Sequence, residues 1–94
     1  MTHPIRTVID MRPSRLLERA LRGHVRNVDF GDLVNLVRAL GFEEIGGRGS
    51  HRIFARDGVS ELVNLQEERG QAKPYQVRQL VRLVRRYDLH LEDQ

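Results

Sequence analysis

Residues 29–66 read DFGDLVNLVRALGFEEIGGRGSHRIFARDGVSELVNLQ, and within this segment the apolar spacing changes from that of a helix to that of strands. Asp29 is a typical N-cap residue, and Asp32 falls in the first turn, where the helix dipole favours a carboxylate. A glycine such as Gly41 commonly follows the last residue of a helix, and Phe42 supplies the apolar contact that usually accompanies this type of helix end. The pattern predicts a helix between Asp29 and Gly41. Its apolar stripe is formed by Phe30, Leu33, Val34, Val37 and Leu40.

After this helix, the apolar residues come in three short segments that are rich in Ile, Val and Phe. The segments span residues 42–48, 50–56 and 61–66. Asp57-Gly58, between the last two, is a strong hairpin signal. We therefore predict a three-stranded antiparallel meander, followed by a polar loop over residues 67–73.

Helical spacing also occurs on both sides of this segment. On the N-terminal side it predicts a helix over residues 14–25, with Ser14 as N-cap, after an irregular arm over residues 1–12. The apolar stripe of that helix is formed by Leu17, Ala20, Leu21 and Val25. On the C-terminal side, Pro74 suits the first position of a helix. The apolar stripe of this C-terminal helix is formed by Val77, Leu80, Val81 and Val84. The opposite side of the helix carries Arg78, Arg82, Arg85 and Arg86.

The order of the elements predicts an α+β fold. Two helices on one face of a three-stranded antiparallel sheet make a two-layer α-β-β-β-α domain, here preceded by an extra N-terminal helix. We expect residues 1–28 to form the arm and the extra helix, and residues 29–94 to form the two-layer domain. A chain of 94 residues is long enough for one such domain.

The composition excludes several classes of protein. With no cysteine, the chain has no disulfide framework, no Cys-based zinc site and no thiol nucleophile. The lack of cysteine is compatible with a reducing, cytoplasmic setting, where we expect the protein to act. Its apolar runs are too short to span a bilayer, so we expect a soluble protein with no membrane role.

Positive charge is concentrated near the N-terminus. Residues 1–28 hold six arginines and two carboxylates, a net charge of +4, whereas residues 29–94 hold ten cations and eleven carboxylates. Fifteen of the sixteen cations are arginine, whose planar fork matches phosphate oxygens. This bias fits a nucleic-acid partner, but a GC-rich genome produces the same bias.

The sequence carries no P-loop, no G-x-S-x-G motif and no metalloprotease helix motif. The four histidines are far apart in sequence, so we expect no metal site and no cofactor. The glycines around Arg48 join two predicted strands and are interpreted as a hairpin turn. His51 follows that turn with Arg48 and Arg52 beside it, and an imidazole can give or take a proton near neutral pH. From the residues alone, a surface or half-buried packing histidine is the favoured interpretation.

Other cations have a functional and a structural interpretation. Lys73 precedes the last helix, where free backbone N–H groups and the helix dipole attract phosphate, but it also fits a solvated loop. The arginines at 78, 82, 85 and 86, and those at 15, 19, 22 and 26, fit either nucleic-acid contacts or exposed helix faces.

Four segments together resemble the HicA family of small mRNA-cleaving toxins from type II toxin–antitoxin systems. They are DLV at residues 32–34, LGF at 40–42, RGSHRIF at 48–54 and AKPYQVRQ at 72–79. The resemblance covers about residues 29–91, and its sharpest element is Gly49-Ser50-His51 after a helix–Gly–strand unit.

The resemblance implies a fold like that of the double-stranded-RNA-binding domain, a metal-independent endoribonuclease that acts on mRNA, and a HicB-type antitoxin that blocks it. The catalytic histidine of the family corresponds to His51, and Lys73 stands where related RNA-binding domains hold phosphates. We expect the RNA or its phosphates to be bound by Arg48, Gly49, Ser50, Arg52, Lys73 and Arg78.

Two features depart from the family pattern. Residues 1–28 have no counterpart in it, and the matched region is slightly acidic, with Glu61, Glu67 and Glu68 near the expected site. A non-catalytic RNA-binding module of the same fold is the alternative. A third possibility is a protein that binds an antitoxin but has no nuclease activity.

Overall fold

The computed structural model describes residues 12–92 of the chain, and three helices and four strands lie within them. They occur in the order α1 Pro13–Leu21, α2 Phe30–Ala39, β1 Glu43–Gly46, β2 His51–Arg56, β3 Val59–Glu68, β4 Gln71–Ala72 and α3 Pro74–Tyr87. The predicted arm, except for its last residue, lies outside the described residues. None of the helices within residues 12–92 is long and apolar enough to cross a membrane.

The α+β prediction is confirmed, but the sheet has four antiparallel strands in the order β1-β2-β3-β4 rather than three. The loop predicted over residues 67–73 contains β4, which pairs with the end of β3. Arg69 and Gly70 connect them with positive φ angles of 54° and 79°, as a tight two-residue hairpin turn requires. Two residues are too few to show an alternating pattern, so this strand is defined by its pairing.

Hydrogen bonds also attach β4 to the segment before α2. The Ala72 N–H donates to the Val28 carbonyl at 2.9 Å, and the Phe30 N–H donates to the Gly70 carbonyl at 2.9 Å. These bonds tie the start of α2 to the edge of the sheet.

The ends of α2 confirm the prediction in detail. An Asp29 carboxylate oxygen accepts from the Asp32 N–H at 3.0 Å, which caps the first turn. Gly41 has a φ of 94°, and the buried Phe42 donates its N–H back to the Val37 carbonyl at 3.3 Å. This is the Schellman arrangement, in which glycine avoids the penalty of a left-handed conformation.

Helix α1 differs from its prediction at both ends. Arg12 is the N-cap and Pro13 occupies the first turn, so the assignment of Ser14 as N-cap is wrong. Proline disfavours the helical conformation in the residue before it, and this moves the boundary back to Arg12. The helix ends at Leu21, earlier than predicted, because Gly23 has a φ of 95° and forms a C-terminal cap.

Most of the predicted apolar stripes are buried in one hydrophobic cluster. In α1, Leu16 rather than Leu17 is fully covered, and Leu17 packs against the cluster only partly. All three helices contribute to this cluster, as do Phe54, Val63 and Leu65 from the sheet. The four predicted α3 arginines are exposed, as expected.

The two faces of the sheet differ in burial. Phe54, Val63 and Leu65 point toward the helices, whereas the alternating positions lie on the open face, where Leu62 is 50% exposed. His51 follows the open-face alternation of β2, which places it away from the helices.

Candidate functional site

A glycine-rich connection between β1 and β2 positions His51. Gly47 has a φ of 133°, and a β-carbon there would overlap the His51 carbonyl oxygen and lie 2.9 Å from the Arg52 Cα. Only glycine allows the two backbone segments to approach so closely.

The residues after Gly47 form a tight turn. The His51 N–H donates to the Arg48 carbonyl at 3.0 Å, and Gly49 has a φ of 60° in the first central position of the turn. The Glu67 N–H donates to the Ser50 carbonyl at 3.2 Å and attaches the turn to β3. Gly49 and Ser50 therefore shape the turn before His51 through their backbone conformation. Both residues are exposed.

The His51 imidazole is open to solvent at the start of β2. Within residues 12–92, no side chain forms a hydrogen bond or an ion pair with it. His51 is therefore a surface histidine and not a packing one. The ring also lacks an orienting partner among those residues.

Arg52 points to the other face of the sheet. Its Nε donates to Glu44 at 2.9 Å and its terminal nitrogen to the same carboxylate at 2.6 Å, while its Cζ lies 5.8 Å from the centroid of the Phe54 ring. Arg38 donates to the same carboxylate at 3.0 Å. Arg52 therefore reaches phosphate only if it gives up a bidentate partner.

Glu44 is a member of this site that the sequence reasoning missed. The hydrogen bond from Arg52 is the main reason why the pKa of Glu44 lies below its ordinary value of 4.5. Its carboxylate is thus ionised at neutral pH and is a weak proton acceptor. The sequence does contain a signal for Glu44. The predicted pairing of segments 42–48 and 50–56 places a carboxylate of the first strand beside an arginine of the second.

A shallow pocket of about 320 Å³ lies at the glycine turn. The lining residues are Glu44, Gly46, Gly47, Arg48, Gly49, His51 and Arg52. Arg48 is exposed and has no ion pair with any residue of the described range. It is the cation of the pocket that is available to an anionic ligand.

Lys73 lies at the same end of the sheet as His51. His51 pairs with Gln66 on β3, and the next β3 residue, Glu67, pairs with Ala72 on β4. Two strand spacings therefore separate the backbone near Lys73 from β2, about 10 Å in total. Lys73 precedes α3 without a side-chain cap, and its Nζ lies 3.9 Å from a Glu68 carboxylate oxygen.

Two features weaken this end of the sheet as a phosphate site. The carboxylates of Glu67 and Glu68 lie on the strand between His51 and Lys73, and like charge repels phosphate. Arg78 does not line the pocket; it lies in a separate groove between α1 and α3.

The single imidazole can transfer one proton at a time, and Arg48 lines the same pocket without an ion pair to any residue of 12–92. Residues 12–92 contain no cluster of three His, Cys, Asp or Glu residues that could hold a metal ion. The absence of a metal or cofactor requirement stays a prediction.

Comparison of the chain with known proteins found no matching family model, no similar curated protein and no similar solved structure.

Proposed function

We propose that this protein is a HicA-like endoribonuclease that cleaves mRNA with His51 as its acid–base group. The observation that carries the proposal is the open His51 ring beside a tight glycine turn and beside Arg48, which has no ion pair within residues 12–92. On this proposal the fold is of the double-stranded-RNA-binding type, with β4 as an addition. The protein acts in the cytoplasm as a toxin, and a HicB-type antitoxin neutralises it.

The reaction uses a nucleophile that RNA itself carries. A 2′-hydroxyl loses its proton and attacks the adjacent phosphorus, the bond to the 5′-oxygen breaks, and a cyclic phosphate remains. His51 either takes the hydroxyl proton or protonates the leaving oxygen, and water serves in the other role. Glu44 is a poor candidate for that role because its pKa is lowered.

The cations of the site have different roles in this mechanism. Arg48 stabilises the charge that develops on the phosphate, because its guanidinium is exposed and uncompensated. Arg52 orders the pocket through Glu44. Lys73 holds a neighbouring phosphate by exchanging its contact with the Glu68 carboxylate, 3.9 Å from its Nζ, for the phosphate. One positioned acid–base group accelerates a reaction by about 10²–10⁴-fold, which suits a slow nuclease.

The test is the rate of cleavage of a 5′-labelled mRNA by the purified protein and its His51→Ala variant. We expect the variant to lose at least about 100-fold in rate and to unfold at the same temperature as the parent. His90→Ala is the matched control, since His90 is also exposed but lies beyond α3. Cleavage by the His51 variant at the parent's rate would overturn the assignment.

A second substrate tests the nucleophile separately. RNA with a single 2′-deoxynucleotide at the scissile position should resist cleavage at that position only. If it is cut there as fast as the all-ribose RNA, the 2′-hydroxyl mechanism is wrong even if His51 is essential.

A non-catalytic RNA-binding module is the alternative, and the absence of an orienting partner for His51 within residues 12–92 favours it. Acid–base catalysts are usually held by a further group. This alternative predicts salt-sensitive RNA binding, no cleavage and unchanged affinity in the His51→Ala variant.

A further inference from the structure

The exposed face of α3 carries a row of arginines that the candidate site does not use. Arg78, Arg82 and Arg85 follow one another at intervals of about one helical turn, and all three are exposed. Neither Arg78 nor Arg82 has a hydrogen bond or an ion pair with any residue between 12 and 92. A terminal nitrogen of Arg85 donates to the Leu21 carbonyl at 3.0 Å, at the end of α1.

These arginines form one wall of a groove of about 290 Å³ between α1 and α3, which we call the α1–α3 groove. Its remaining lining within residues 12–92 is Ala20, Leu21, Gly23, Val25 and Val81, so no carboxylate of that range lines it. Among the described residues, the groove therefore combines concentrated positive charge with no opposing charge.

The burial of the floor indicates what kind of partner fits. Ala20 is 3% exposed and Val25 and Val81 are each 9% exposed, so Leu21, which is only partly buried, supplies the main apolar surface of the groove, and that surface is small. Protein partners usually depend on a few well-buried apolar or aromatic anchors. A polyanion needs only charge and hydrogen-bond donors, and an RNA backbone supplies the complementary phosphates.

We infer that the α1–α3 groove is a second RNA contact, which binds the sugar–phosphate backbone away from His51. This inference rests on the proposed function, since it takes RNA as the ligand. Arginine forks bind phosphate oxygens without reading the base, so the contact is independent of sequence. The rise from Arg78 to Arg85 is about 10 Å, so the row reaches more than one phosphate.

The position of α3 connects this groove with the pocket. Lys73 precedes α3 at the end of the sheet that carries His51, and Arg78 lies about one turn into the helix. A strand that leaves the pocket can pass Lys73 and continue along the arginine row. The groove therefore contributes to the binding of RNA and not to the chemical step.

The experiment compares full-length Arg78→Ala/Arg82→Ala with an Arg15→Ala/Arg26→Ala control that removes the same charge. Arg15 and Arg26 are exposed and do not line the groove. Binding of a fluorescent 20-nucleotide poly(U) RNA is measured by anisotropy between 50 and 200 mM salt. We expect the groove variant to bind RNA on the order of tenfold more weakly. Its slope of log K against log salt should be less negative by about 1.4, which is about 0.7 for each lost phosphate contact.

Further measurements separate the possible outcomes. The Arg15→Ala/Arg26→Ala control should keep the parent's slope, because its arginines do not line the groove. The Arg78→Lys/Arg82→Lys variant should also keep the parent's slope, because lysine still neutralises a phosphate. In the cleavage assay, the groove variant should raise KM and leave kcat unchanged. A binding slope equal to the parent's would overturn the inference while leaving His51 catalysis intact.

Two other results would also overturn it. If the parent binds polyglutamate, and the groove variant loses that binding but keeps its affinity for RNA, the groove accepts an acidic protein instead. If the parent neither binds nor cleaves RNA, the proposed function fails together with this inference.

Discussion

At the residue scale, Gly47 is the position where one added methyl group has the largest expected effect on the candidate site. A β-carbon there meets the backbone of His51 and Arg52, which cannot move without shifting the start of β2. Its φ of 133° adds strain for any other residue. Neighbouring Gly46 has nothing within 4 Å of its would-be β-carbon and is not among the positive-φ glycines.

We predict that Gly47→Ala lowers the free energy of unfolding by about 1–3 kcal/mol and reduces RNA cleavage, because the turn before His51 is displaced. Gly46→Ala should change stability and cleavage little. Urea unfolding followed by circular dichroism gives the stability of both variants. Equal stability of the two variants would show that the close approach at Gly47 does not constrain the turn.

At the element scale, Glu61 links the end of α3 to β3. Its carboxylate accepts a hydrogen bond from the Tyr87 hydroxyl at 2.6 Å and pairs with the Arg86 guanidinium. The bond from Tyr87 is the main cause that holds the pKa of Glu61 below its ordinary value of 4.5. A carboxyl group whose pKa is lowered by folding stabilises the folded state above its unfolded-state pKa, and this stabilisation is lost as the pH falls through the folded-state pKa.

Glu61→Gln should therefore lower the Tm at pH 7. The difference in Tm from the parent should shrink as the pH falls below about 4.5, and it should vanish once Glu61 is protonated in both the folded and the unfolded parent. Thermal unfolding between pH 2 and pH 7 measures this dependence. Glu43→Gln is the control, since Glu43 is exposed and has no hydrogen bond or ion pair through its side chain within residues 12–92. A Tm difference that is constant over the whole range would show that the charge of Glu61 is irrelevant.

At the scale of the whole molecule, α1 belongs to the same hydrophobic cluster as α2, α3 and the sheet. Leu16 is 2% exposed and Ala20 is 3% exposed within that cluster. Arg85 adds a hydrogen bond from α3 to the end of α1. This packing indicates that α1 unfolds together with the rest of the described chain.

We predict that Leu16→Ala lowers the free energy of unfolding by about 2–4 kcal/mol, because the cavity is left in the shared core. Leu17→Ala should cost clearly less, because Leu17 is only partly buried. Both variants should unfold in one transition, measured by circular dichroism in urea. A separate early transition for α1 would instead show that it is an independent arm.

The candidate site was predictable only in part. A glycine-rich segment before a strand predicts the turn at His51, but it leaves open whether the ring is exposed and which neighbouring arginine is available. The pairing of Arg52 with Glu44 was not predicted, since it depends on how β1 and β2 align. Arg78 was assigned to the RNA site but lines a different groove, because α1 packs beside α3.

Features that depend on neighbours within about five residues follow from the amino-acid sequence alone. The Asp29 cap, the Gly41 end of α2, the Asp57-Gly58 turn and the Pro74 start of α3 all involve hydrogen bonds or dihedral angles inside one short segment. Such local interactions favour the same conformation wherever the segment lies in the chain.

Four other features depend on long-range packing: the existence of β4, the burial of Leu16 in place of Leu17, the pairing of Arg52 and the separation of Arg78 from His51. Each depends on a partner that is distant in sequence or on which side of a helix meets the core. Local spacing carries little information about such partners, because strand pairing and helix packing are selected by the burial of the whole apolar surface at once.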